Sequence, residues 1–524
     1  MSYYDYDYII IGGGISGLVT AYKLSQTDKY NILLIESTTR LGGRLYTLAK
    51  GDISLEMGAG RISSKHTKLI TLLKELFNLN ESELFKEELI QLPDDIKYKL
   101  ELVPNINFYS LINELRNKSG EVSTKVKQNI NLFQLCIDAL GYKSAQVLKA
   151  KLGYDSEFEL MNAHHALKIF KKDLFSKCDY YVLKRGFSHI VDLLHQALDS
   201  KQVTILLDTQ VKDITNHRVK IHRKEYTSDK IICCIPQKEL MALPKFKEYK
   251  ELDSVSPVPL LRIYAKYPIG SNKKVWFHNI KRTITDNYIR HIIPIDYEKG
   301  TIMISYIDGH YAEMWRDLTK LGNKELIKRL HKEINQLFGI LPPKPEFIEY
   351  YYWSEGCHMW KPGINVEQVY KQILQPFPKE KIYIVNESFS KHQSWVEGCL
   401  DMSYDVLQMV DNQFKPTVHG GAKRKQSVKK YTIKQVLKHS TWIVLDINKK
   451  KRIYDVSRWF KGHPGGRDNL KKGIKANKHY LYPKKYPESP IDLFKQIGAH
   501  KSGDVIQKIL NNKIEFVVFK GYLK

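Results

Sequence analysis

Asp7-Tyr8-Ile9-Ile10-Ile11-Gly12-Gly13-Gly14-Ile15-Ser16-Gly17 decides the fold. A short apolar run ends in glycines. From Ile15 to Leu24 the residues take helical spacing, with small ones at Gly17 and Ala21. Asn31-Ile32-Leu33-Leu34-Ile35 reads as a second buried strand. Strand, helix and strand within about 30 residues make a βαβ unit. Its turn carries Gly-x-Gly-x-x-Gly at positions 12, 14 and 17. Gly12 allows the tight turn, Gly14 lets backbone approach a pyrophosphate, and Gly17 lets helix and strand pack closely. The helix N-terminus, which includes Ser16, offers N–H groups and partial positive charge to the phosphates. Glu36 ends the second strand, 19 residues after Gly17, where it can accept both ribose hydroxyls. The spacing predicts an α/β chain with a Rossmann-type dinucleotide-binding domain.

Leu41-Gly42-Gly43-Arg44 follows. It reads as a second phosphate clamp, with Gly43 in the turn and Arg44 neutralising the pyrophosphate. Its spacing behind Glu36 is that of flavin enzymes. Here the sequence resembles the flavin-containing amine oxidase family of monoamine and polyamine oxidase type. Glu56-Met57-Gly58-Ala59-Gly60-Arg61 is similar to the family's stretch beside the flavin. Val203 to Ile214, then Asp229 to Pro236, resemble its return to the FAD domain. Ile382 to Ser388, then His392 to Cys399, resemble its closing motif.

The resemblance covers residues about 5 to 412 and implies bound FAD. It implies FAD-binding parts at about 5–65, 184–240 and 376–413, interleaved with α+β substrate-binding parts at about 66–183 and 241–375. It places the Val211 backbone on the adenosine half, Glu387 at the ribityl–phosphate region and the Val396 backbone at the flavin pyrimidine edge. Asn386 stands where the family usually has Gly, which predicts crowding at the phosphate. The segment from about Lys68 to Lys172 reads as mostly helical. Later strands are expected at Val203–Leu207, Lys230–Ile235, Leu260–Ala265, Thr301–Tyr306 and Lys381–Val385.

In this family hydride passes from a C–H next to nitrogen to flavin N5, and two aromatic residues wall the neutral amine. By resemblance those places fall to His358, within Trp353 to Gly363, and to Trp395. Cys357 falls where some monoamine oxidases carry a covalent thioether to the flavin. The family's strand lysine, which holds a water near N5, is matched best by Arg262. Arg262 keeps its proton and presents a fork, while Lys266 reads out of register. The resemblance implies an FAD-dependent oxidoreductase on a small amine-like substrate, passing electrons to oxygen or to a haem. Two alternatives stay open: a desaturase-like oxidoreductase on a non-amine, and a catalytically weak flavo-haem protein that docks on a polyanion.

The last fifth of the chain differs in charge. Residues 415–524 hold 27 Lys and Arg against 7 Asp and Glu, a net +20 of the chain's +26. Residues 415–430 read as a basic flexible linker around Gly420-Gly421. Residues 431–524 resemble the cytochrome b5 family, through Ile453-Tyr454-Asp455-Val456-Ser457-Arg458-Trp459-Phe460 followed by His463-Pro464-Gly465-Gly466. That resemblance implies a small α+β domain with haem b held between His463 and His500. His479, inside an apparent insertion at Lys478–Pro490, is the weaker candidate. The basic charge fits an acidic protein, an anionic membrane surface or nucleic acid as partner.

Apolar residues make up 43% and charged residues 27%, which excludes a disordered chain. No apolar run reaches 18 residues, so no spanning helix is expected. The N-terminus has no basic n-region or cleavage site, and the six cysteines are sparse. An intracellular, cytoplasmic protein, not a secreted one, is expected.

Overall fold

The computed structural model describes residues 4–414 except 105, 174–177 and 202, together with strands at 430–431, 442–447, 450–455 and 518–523. The chain divides into two compact units, Met1–Pro416 and Thr417–Lys524.

The first unit opens with β1 (Tyr6–Ile11), α1 (Ile15–Ser25) and β2 (Ile32–Ile35). Further along come β3 (Glu225–Cys233), β4 (Val255–Lys266), β5 (Thr301–Asp308), β6 (Phe347–Trp360), β7 (Ile382–Ile384) and α2 (Val396–Val410). β1 sits between β2 and β3 and is parallel to both, with Ile10 opposite Leu34 and Ile232. Thr204–Leu206 extends the sheet beyond β2, and β7 pairs parallel with β3. These strands are apolar at successive positions because helices cover both faces of a parallel sheet. Ile9, Ile10, Leu33, Leu34, Ile231 and Ile232 are all fully buried. Helix α2 packs beside α1, where Ser403 Oγ donates to the Ser16 carbonyl at 3.4 Å.

A second sheet of six strands carries the far side of the cavity. In it β4 lies between β6 and β5, antiparallel to each. Its outer face packs on helices Gly309–Thr319 and Asn323–Phe338 through Trp315, Leu326, Leu330 and Ile334. β4, at 12 residues, is longer than the expected Leu260–Ala265, and β6, at 14 residues, is a strand that the sequence reading did not expect. The helical region from Thr67 to Asp173 is interrupted by two short strands. Leu89–Gln91 pairs with Tyr180–Leu183, and Lys97–Lys99 pairs with Thr283–Thr285 at the edge of the second sheet. Neither has a strong local pattern, so pairing with distant strands decides them.

In the second unit, Lys450–Asp455 lies between Trp442–Ile447 and Val518–Leu523, antiparallel to both; Lys430–Tyr431 pairs parallel with Val518–Leu523. His463, His479 and His500, and with them the expected haem, lie outside the described residues. Among the described residues no helix is long and apolar enough to cross a membrane.

Candidate active site

A cavity of about 480 Å³ runs from the β1–α1 turn to the faces of β4, β5 and β6. The three fingerprint glycines meet three different constraints. Gly12 has φ +106°, and a Cβ there would lie 2.7 Å from the Cys234 carbonyl oxygen. A Cβ at Gly17 would lie 2.0 Å from the Gly12 carbonyl oxygen. A Cβ at Gly14 meets nothing within 4 Å, because that backbone faces the cavity. Gly43, at φ +55°, crosses over Gly14, and the Gly42 N–H donates to the Gly13 carbonyl at 2.8 Å. Ser16 lines the cavity in the first turn of α1. Glu36 also lines it, buried, with Oε2 accepting from Gly13 N–H at 2.7 Å and Oε1 from Thr38 N–H at 2.9 Å. An open backbone at a helix N-terminus, flanked by a buried carboxylate, fits a dinucleotide laid across the turn.

Arg44 and Glu387 form the middle of the site. Arg44 Nη1 donates to Glu387 Oε2 at 2.8 Å and to the Gly356 carbonyl at 3.0 Å. Glu387 Oε1 accepts from Ser394 N–H at 2.7 Å and His358 N–H at 3.2 Å. Burial alone would raise the Glu387 pKa, but the Arg44 charge and the His358 hydrogen bond outweigh it and hold the acid at about 2. Ser394 adopts φ +69°, left-handed for a residue with a side chain, and its N–H is thereby held on Glu387. Asn386 lines the cavity and its side chain is hydrogen-bonded at both ends. Its amide donates to the Ile235 carbonyl at 2.7 Å and its Oδ1 accepts from Phe389 N–H at 3.2 Å.

His358 is not on the cavity wall. It is 0% exposed, with Nδ1 3.0 Å from Glu387 Oε2 and Nε2 3.4 Å from Glu355 Oε2. Burial disfavours its charge, but the two carboxylates outweigh burial and raise its pKa. The reason for its placement is strand alternation: Cys357 and Met359 line the cavity, so the residue between them points away. Trp395, half-buried, does line the cavity, with the Tyr180 ring stacked at 6.1 Å. Arg262 lines it too, its Nη1 donating to the Glu56 carbonyl at 2.7 Å and its guanidinium 4.5 Å from the Tyr306 ring centre. Cys357 lines the wall, where burial pushes its thiol well above the usual range. Val396 lines the cavity at the start of α2, whereas Val211 packs half-buried against the sheet core and is not among the lining residues.

Residues 15–403 match the family of flavin-containing amine oxidoreductases. The chain belongs to that family. It is 33% identical over 454 residues to human flavin-containing amine oxidase B, across 75% of this chain and 84% of the relative. It is 21% identical over 485 residues to an uncharacterised protein of Acanthamoeba polyphaga mimivirus, across 77% of this chain and 93% of that one. A putrescine oxidase double variant, redesigned in its cofactor binding, has the same fold, with a TM-score of 0.61 at 14% identity over 77% of this chain and 98% of its own.

This flavin amine oxidoreductase is therefore an FAD-dependent oxidoreductase of amine oxidase type. The structure gathers Gly12, Gly14, Ser16, Glu36, Gly43, Arg44, Cys357, Glu387, Trp395, Val396 and Arg262 on one cavity, and leaves out Val211 and His358. Sequence reasoning missed Tyr154, Tyr306 and Asp308 and gave Arg61 no role, although all four line that cavity. For Arg61 the signal was present, since it directly follows the flavin-side glycines. For Tyr154 no local signal exists: it enters the site by donor–acceptor contact with Arg61 at 2.8 Å, 93 residues away in sequence.

Proposed function

We propose that the enzyme removes a hydride from a C–H bond next to the nitrogen of a small amine held against Trp395. The observation that carries this is the placement of Trp395 on the cavity wall that also holds Arg44 and the open Gly14 backbone. FAD, when bound, supplies the hydride acceptor. Gly14 and the α1 N-terminus take the pyrophosphate, Glu36 takes the ribose, and Arg44, oriented by Glu387, neutralises phosphate charge. Tyr306, Tyr352 and Trp353 line the substrate end and exclude water from it. Arg262 keeps its proton, so it serves as a fixed donor and not as a base. The substrate nitrogen must then arrive deprotonated, or lose its proton to Asp308. Burial raises that acid to about 6, against the two backbone N–H groups that it accepts.

The onward acceptor is oxygen or a haem b held by His463 and His500; what supports the haem is the His463-Pro464-Gly465-Gly466 motif in the sequence. The basic C-terminal residues favour a polyanionic partner, and the sparse cysteines a reducing, cytoplasmic setting. The test is anaerobic mixing of the full-length FAD-loaded protein with primary amines and with a saturated non-amine donor. Bleaching of the flavin band by an amine is expected. Bleaching only by the non-amine donor would establish the desaturase-like reading instead.

A further inference from the structure

An acid on the wall of a dinucleotide cavity has the wrong sign for the phosphates that the cavity admits, yet Glu355 lines this one together with Arg44. We infer that His358 supplies the missing counter-charge, and that Glu355 and His358 together make the retention of FAD sensitive to pH near neutrality. This device acts on the cofactor and is independent of the substrate.

Four charged side chains form one connected row. Arg44 Nη1 reaches the Glu355 carbonyl at 3.3 Å and the Gly356 carbonyl at 3.0 Å, which holds the guanidinium against that stretch of backbone. The same nitrogen donates to Glu387 Oε2 at 2.8 Å, and His358 Nδ1 lies 3.0 Å from that same oxygen. Arg44 and His358 thus share one carboxylate oxygen. On the other side of the ring, His358 Nε2 lies 3.4 Å from Glu355 Oε2 and 3.3 Å from the Ser388 hydroxyl. Among the described residues Glu355 Oε2 accepts no hydrogen bond, and the one ion pair of Glu355 is with His358. The imidazole is 0% exposed and the Glu355 side chain 10%, so water does little to screen either.

With His358 charged, two cations face two carboxylates. His358 then meets part of the Glu387 charge, which leaves Arg44 available to a phosphate, and Glu355 is balanced before the anion arrives. With His358 neutral, Glu387 draws on Arg44 alone, and Glu355 stands on the wall as an uncompensated carboxylate that repels an anion entering the same cavity. His358 is therefore a positioning residue for Arg44. Burial disfavours its charge, but the hydrogen bonds to Glu355 and Glu387 outweigh burial and the nearby Arg44 charge, and hold the pKa above the ordinary 6.5. The other titratable groups packed around this row are the Cys357 and Cys399 thiols, and burial keeps both protonated. FAD that prefers the charged histidine binds fully below the histidine pKa of the FAD-free site, and its affinity falls as pH rises through that value. One linked proton gives at most about a tenfold fall per pH unit.

The test is the dissociation constant of FAD from the full-length protein, read by FAD fluorescence at fixed ionic strength between about pH 6 and about pH 9. The wild-type constant is expected to be level at the acid end and to rise by at least about tenfold toward the alkaline end. A constant that does not change with pH overturns the proposal, and that measurement needs no variant to fold. Glu355→Gln removes the wall charge and should hold FAD tighter than the wild type at the alkaline end. Equal or weaker binding there overturns the role of Glu355. His358→Gln should bind FAD weakly at every pH, with the slope lost. Glu56, which burial raises to about 7, titrates in the same window, so Glu56→Gln is the control and should keep the slope. A slope that survives in His358→Gln, or that is lost in Glu56→Gln alone, overturns the assignment to His358.

Discussion

Glu387 concentrates more of the site's electrostatics than any single glycine does. It is buried, yet it accepts two backbone N–H groups, faces His358 and carries the Arg44 ion pair. Removing one partner of a buried pair leaves the other uncompensated, which costs about 3–5 kcal/mol. Glu387→Gln is therefore expected to lower unfolding free energy by about that amount, measured in denaturant. The pH dependence has a definite sign. The folded acid sits at about 2, below its ordinary 4.5. Its stabilisation is complete above 4.5 and drains away as pH falls toward 2. The wild type should lose stability through that window, and Glu387→Gln should show a shallower slope there. Glu56 works in the opposite direction. Burial raises it to about 7, against the hydrogen bonds that it accepts from Phe187 N–H and Thr47. Its contribution is complete below 4.5 and is lost as pH climbs through 7.

At the scale of the element, the β1–α1 turn separates folding from binding within six residues. A Cβ at Gly17 would meet the Gly12 carbonyl at 2.0 Å, so the backbone itself must move. A Cβ at Gly14 would project into the open cavity. Gly17→Ala should thus destabilise the protein, by at least about 1–3 kcal/mol on the scale of overpacked cores. Gly14→Ala should leave the thermal transition of the FAD-free protein unchanged and still weaken FAD retention. Parallel melting curves and flavin content of the two variants test this; a Gly14→Ala protein with full flavin content would show that the turn does not approach the cofactor. The same scale explains His358. In β6 three residues, 354–356, stand opposite Pro259 alone, between the Val258–Cys357 and Leu260–Trp353 pairs. Beyond that irregularity, alternation turns Cys357 and Met359 to the cavity and His358 to Glu387.

For the whole molecule the decisive quantity is where the charge lies. Residues 415–524 carry +20 of the +26. A chain ending at residue 414 retains every cavity-lining residue found among the described residues and should bind FAD as the full chain does. Full-length protein should bind heparin at low salt and release it steeply as salt rises, because each phosphate or sulfate contact releases counterions. The truncated chain should pass through the same column. Equal retention of both would show that the C-terminal charge serves solubility alone.

The Rossmann unit was legible because its signals are local. An apolar strand, three glycines and an acid at fixed spacing act within 36 residues of chain, and the structure seats Gly12, Gly14, Gly17 and Glu36 where that spacing puts them. Arg44, Glu387 and Trp395 were legible as motif members, although the Arg44–Glu387 bond spans 343 positions. The direction of His358 was not legible, because a strand's phase depends on the register of its partner and on bulges in it. The partner of Asn386 was not legible either, because its amide is satisfied by Ile235, 151 residues away. Arg61 was visible as a letter beside the glycines, but only packing determines whether a cation meets an acid. Sequence by itself determined the cofactor-binding half, since short-range geometry dictates it. The tertiary structure alone decided which charges remain unpaired at the substrate end, since burial and long-range contacts set that balance.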